Sequence, residues 1–179
     1  MLDSLREFGR AVVFLFLILT DSCSQPPSDT KLIENFYTHR AIYESMAKDF
    51  CAMPHAQTVW TDTNHSRPRL SDQRQDKIVA LMNKIGATRV EGLPAEDSID
   101  PSPCMVEFTL WSIGMLDSSD SKSIVLSPVS DLYDLEVQSL DNIDFKKTVL
   151  KFGGGSNHGR RIYKRHLEGE WWLVWDHWE

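Results

Sequence analysis

The order of periodicities along this 179-residue chain predicts an α+β domain, with two N-terminal helices packed on one face of an antiparallel sheet of about four or five strands. Three observations carry that expectation. In two stretches of the first half, apolar residues recur at three- and four-residue steps, as on one face of a helix. In the second half they alternate with polar residues, as in half-buried strands. The helical patterns also precede the main strand patterns rather than interleaving with them, which argues against a doubly wound parallel sheet.

Asp29 to Met53 reads as the first helix, because Ile33, Phe36, Tyr37, Tyr43, Met46, Ala47 and Phe50 gather on one face and Pro54 ends it. Gln57 to Asp62 reads as a short strand carrying Val59 and Trp60. Ser71 is the N-cap of a second helix, and Asp72 stands where a negative charge favours the first turn. Its apolar stripe is Ile78, Leu81, Met82 and Ile85, and Gly86 closes it in the left-handed conformation. Val106, Phe108 and Leu110 then alternate with Glu107, Thr109 and Trp111 in a strand. Ser123 to Val129 and Thr148 to Phe152 are further strand segments. The chain closes in a hairpin: RIYKRHL, a turn at Glu168-Gly169, then EWWLVWDHW.

The N-terminus differs in kind. Ala11 to Leu19 is nine unbroken apolar residues, too short to span a bilayer, which needs about 20. Nine residues suit the apolar core of a secretory signal. The following Thr20, Asp21, Ser22 and Cys23 resemble the lipobox of bacterial lipoproteins, although Thr20 stands where that family usually has Leu. The resemblance implies that Cys23 becomes the acylated N-terminus of the mature protein and fastens it to a membrane of the bacterial envelope. Ser24 is not the Asp associated with inner-membrane retention, so the implied place is the outer membrane, facing the periplasm. The chain then divides into a signal peptide at 1–23, a tether at 24–30 stiffened by Pro26 and Pro27, and a single α+β domain at 31–179. Ordinary cleavage after Ser22 or Ser24, releasing a soluble periplasmic protein, is the competing expectation. A buried helix of a cytosolic domain is disfavoured, because the apolar run has no polar face to turn outward. Leader, helix pair and Trp-rich C-terminal sheet together resemble small bacterial envelope proteins of unassigned function. That resemblance covers most of the chain and lends no catalytic residue.

Residues 1–23 hold two arginines against three acids, so −6 of the formal charge of −7 falls on residues 24–179. A net acidic surface with no basic stripe argues against nucleic acid as a partner. With Cys23 acylated or removed, Cys51 and Cys104 remain, and an exported pair commonly forms a disulfide. The bridge would staple the helical half to the sheet half, closing a loop of about 54 residues and stabilising by roughly 4 kcal/mol in the chain-entropy model. Two unpaired cysteines buried as small apolar side chains are the alternative.

KFGGGSNHGRR, residues 151 to 161, spaces Gly154 and Gly159 as in a phosphate loop, but Arg160 and Arg161 occupy the Lys and Ser/Thr positions. A flexible connection between strands is expected there, with Arg160 and Arg161 able to hold a small anion. None of the six histidines pairs at zinc spacing on a helix, and no Cys-x-x-Cys occurs, so no metal and no cofactor is expected. No Gly-x-Ser-x-Gly elbow occurs either, and no catalytic residue is assigned. Asp117, Asp120, Asp131, Asp134, Asp141 and Asp144 read as solvated loop carboxylates. Strand alternation sends Trp171 and Trp175 to one face and Trp172 and Trp178 to the other. One pair belongs in the core, and the other is either covered or a platform for a partner. The function expected is therefore non-enzymatic: an envelope protein with an acyl anchor in the membrane and an unidentified protein partner. The rivals are an interbacterial immunity protein that binds a basic toxin, and a periplasmic hydrolase or small-ligand-binding protein.

Overall fold

A computed structural model describes residues 25–62, 65–93, 104–115, 118–128, 135–141, 143 and 160–178. Among the described residues the architecture is α+β, with three helices and eight strands. The helices are α1 (Asp29–Thr38), α2 (Arg40–Cys51) and α3 (Asp72–Ile85). The strands are β1 (Gln57–Trp60), β2 (His65–Arg67), β3 (Arg89–Leu93), β4 (Met105–Met115), β5 (Ser118–Leu126), β6 (Leu135–Glu136), β7 (Arg160–Glu168) and β8 (Trp171–Trp178). They form one sheet in the order β2-β1-β3-β4-β5-β8-β7-β6.

Three expectations are corrected. The single helix expected over 29–53 is two helices, broken at His39, whose φ of −112° and ψ of 17° leave the helical region. Both pieces keep the 3.6-residue stripe, and the break lets Phe36 and Tyr43 converge on Trp171, with ring centroids 5.2 and 6.2 Å away. Asn35 secures the corner by accepting from the Tyr43 hydroxyl at 2.7 Å and donating to the Ile85 carbonyl at 3.1 Å. Second, the sheet has eight strands rather than four or five, because β2, β3 and β6 are too short to show a period. Third, the sheet is mixed, since β6 runs parallel to β7.

The other elements follow the sequence pattern more closely. Ser28 caps α1 by accepting from the Lys31 amide, so residues 29 and 30, assigned to the tether, lie in the helix. Gly86 ends α3 at φ 69°, as the left-handed cap requires, and the Ala87 amide donates to the Met82 carbonyl at 3.0 Å. The C-terminal hairpin is β7 and β8, turning at Gly169-Glu170. Thr148 to Phe152 lies outside the described residues.

All three helices cover one face of the sheet. Val59, Val90, Val106, Phe108, Ile124, Tyr163, Trp171 and Leu173 point into that layer and are buried with Phe36, Tyr43, Met46, Phe50, Met82 and Ile85. Gly92 of β3 lies under α2, where an added Cβ would stand 2.8 Å from Cδ1 of Phe50. Cys51 and Cys104 form a disulfide with Cα atoms 5.6 Å apart, joining the end of α2 to the residue before β4.

Candidate functional site

The period of two within β5 places Asp120, Lys122, Ile124 and Leu126 on the helix-covered face, so charge enters an otherwise apolar row. β8 sets Trp175 and His177 opposite Lys122 and Asp120, and β7 adds Arg161, Tyr163 and Arg165 on the same face. The first turn of α1 descends onto this end of the sheet. The result is a charged cluster between the layers.

Lys122 is completely buried. Its Nζ donates to the Pro27 carbonyl at 3.1 Å, to Asp29 Oδ1 at 3.2 Å and to Asp141 Oδ1 at 2.9 Å. Three protons thus meet three oxygens, and the ammonium also sits 4.9 Å from the centre of the Trp175 ring. The other Asp29 oxygen accepts from the Leu140 amide at 2.6 Å and the Ser139 hydroxyl at 3.2 Å, with Arg165 at 3.5 Å. The Asp29 amide in turn donates to both Asp141 oxygens at 2.9 Å. Two carboxylates therefore face two cations, which is how a buried charge group avoids an uncompensated ion. Burial pushes the Asp141 carboxyl up, but Lys122 and the Asp29 amide outweigh it and hold it below the ordinary aspartate range. Deeper in the layer, burial raises the Tyr43 hydroxyl well above its usual range.

One row further out, Asp120 Oδ1 meets His177 Nδ1 at 2.6 Å and accepts from Trp175 Nε1 at 3.2 Å. A carboxylate on one ring nitrogen fixes the orientation of the histidine ring. Chemically, the inner cluster is a clamp. All three Lys122 protons are engaged by oxygens of the chain itself. The clamp acts on the chain itself, pinning residues 27–29 and 139–141 to β5.

Of the residues singled out in the sequence, Asp120, Asp141 and Trp175 lie in this cluster, and the others are distributed around it. Trp171 and Trp175 are buried on the helix face. Trp172 is half-buried on the other face; its indole donates to the Ser127 carbonyl at 3.2 Å, and the Lys164 Nζ and His166 ring lie 4.9 and 4.7 Å from its ring. Trp178, at the end of the same face, is 40% exposed. Arg160 opens β7, and Arg161 is half-buried in the row of His177. Cys23, His158 and the glycine-rich stretch 151–159 lie outside the described residues, as do Asp117, Asp131, Asp134 and Asp144. Among the described residues, no three His, Cys, Asp or Glu side chains gather as metal ligands would. A cavity of about 50 Å³ between α2 and α3, lined by Met46, Phe50, Ile78 and Leu81 with Asp49, Arg74 and Lys77, holds no more than a water or two.

Reading Asp120 and Asp141 as solvated loop acids missed their roles, and Asp29 and Lys122 were not singled out at all. One signal was available: the alternation Asp120, Lys122, Ile124, Leu126 puts charge in phase with a strand's apolar face. No protein-family model, curated protein or solved structure matches this chain.

Proposed function

We propose that this chain is an exported bacterial lipoprotein, fastened to the envelope membrane by acylation of Cys23 and serving as a non-enzymatic module that binds another protein. The observation that carries it is the clamp on the first residues of the domain. Lys122 grips the Pro27 carbonyl and Asp29 from the middle of the sheet, four and six positions after Cys23. A domain held by an N-terminal anchor transmits every displacement through those residues. Pinning them to a central strand spreads that load into the sheet and keeps α1 from fraying. The sheet face away from the helices, where Trp172, Lys164 and His166 pack together, offers the aromatic surface that protein interfaces favour. No helix among the described residues is long and apolar enough to cross a membrane, so attachment would rest on the acyl chains.

The experiment is metabolic labelling with palmitate, followed by recovery of cross-linked partners from intact envelopes. Label enters the wild type and not Cys23→Ala. Trp172→Ala loses the partner with the melting temperature little changed, whereas Trp171→Ala unfolds the core at a cost of about 3–5 kcal/mol. Equal labelling of wild type and Cys23→Ala refutes the anchor. Partner recovery unaffected by Trp172→Ala refutes the surface.

A further inference from the structure

We infer that the sheet end bearing Ile113 and Trp178 rests on the membrane leaflet that holds Cys23, with both side chains in the headgroup layer. This rests on the proposed acylation of Cys23. The clamp fixes the Pro27 carbonyl at the level of Lys122, and four residue steps separate Pro27 from Cys23. Fully extended, four steps reach at most about 14 Å. From Lys122, α1 runs toward the far end of the sheet, where Phe36 meets Trp171 opposite Leu126. The body of the domain therefore extends away from the tether, and the near end of the sheet lies beside it.

That near end carries two of the four exposed large hydrophobic side chains among the described residues. Ile113 is 44% exposed and pairs with Asp120, two residues beyond Lys122 on β5, or about 7 Å along the strand. Trp178 is 40% exposed and pairs with Ser119, three residues beyond, or about 10 Å. Both distances fall within the reach of the tether. The two side chains lie on opposite faces of the sheet, so they meet a flat surface together when the sheet stands end-on. Tryptophan is enriched at the membrane interface because its ring is apolar and its N–H polar. A short tether also keeps the local concentration of lipid high, so two apolar contacts suffice where a soluble domain would need many. The domain is acidic, which leaves anionic headgroups no part in the attraction, so salt does not weaken the contact.

The test uses the mature full-length chain purified from membranes, with its disulfide intact, in vesicles of phosphatidylethanolamine and phosphatidylglycerol. An environment-sensitive fluorophore is placed on Ile113→Cys, Trp178→Cys or, at the far end of β3, Leu93→Cys, each variant being checked for the wild-type melting temperature. Lipids carrying a nitroxide near the headgroup quench the probes at positions 113 and 178, at a depth of about 5–10 Å, and leave the probe at position 93 bright, at low and high salt alike. Vesicles that float with the protein while all three probes respond equally, or none responds, overturn the orientation and leave the anchor standing. Protein that does not float with the vesicles refutes the acylation itself, and the orientation falls with it.

Discussion

Replacing Lys122 by methionine keeps the length and volume of a fully buried side chain and removes only its charge and three protons. The loss is unequal among the three oxygens it serves. The Asp141 side chain is 32% exposed and can be hydrated, so it recovers part of what it loses. The Asp29 side chain is 3% exposed and keeps the Leu140 amide, the Ser139 hydroxyl and the more distant Arg165, but its charge is no longer balanced at close range. The Pro27 carbonyl loses the ammonium's proton. Removing one partner of a buried pair costs about 3–5 kcal/mol, and the two acceptors that stay partly satisfied place this case near about 3 kcal/mol. For a domain of this size that lowers the melting temperature by roughly 10 °C. Urea denaturation of the oxidised protein measures it, and limited proteolysis supplies a local readout, because a released tether is cut between Gln25 and Ser28 before the domain unfolds. Combining Lys122→Met with Asp29→Asn removes much of the uncompensated charge, so the double variant is less destabilised than the two single costs added together. A stability within about 0.5 kcal/mol of wild type, the range of an ordinary surface substitution, refutes the clamp.

Gly92→Ala puts a methyl group into the Phe50 ring under α2 and destabilises by about 1–3 kcal/mol, whereas Gly92→Ala combined with Phe50→Leu recovers part of that; calorimetry of both variants decides it. Asp141 is held below the ordinary aspartate range in the folded protein, so its contribution is fully present above the unfolded value of about 3.9 and disappears as pH falls through the lower folded value. The stability difference between wild type and Asp141→Asn is therefore constant from about pH 5 to 7 and shrinks below about pH 4, as acid unfolding at fixed ionic strength will record.

Local patterns were legible where a residue's own chemistry decides the structure. The left-handed cap at Gly86 needs only glycine's freedom at φ 69°, and the C-terminal hairpin needs only alternation around a turn. The α+β class followed from the order of periods, and the disulfide from the count of cysteines left once export is expected. The split at His39 was not legible, because residues on both sides carry the same helical stripe and the break is set by how Phe36 and Tyr43 meet Trp171. The short strands β2, β3 and β6 stayed hidden for a related reason: β6 exists because the Tyr163 and Lys164 backbone offers it hydrogen bonds, not because Leu135-Glu136 prefers to be extended.

The charged cluster marks the division between the two kinds of information. An aspartate or lysine taken alone belongs in water, and solvated loops are the right expectation for acids in DSSDSKS. Burial becomes tolerable only when the opposite charge and enough donors arrive together, and here Asp29 lies 93 positions from Lys122 and 111 from the Leu140 amide. The sequence by itself determined which segments are helical, which alternate, and where an anchor could attach. Only the tertiary structure decided that residues 27–29 are clamped to the middle of the sheet, because desolvation and its compensation are properties of groups that meet in space.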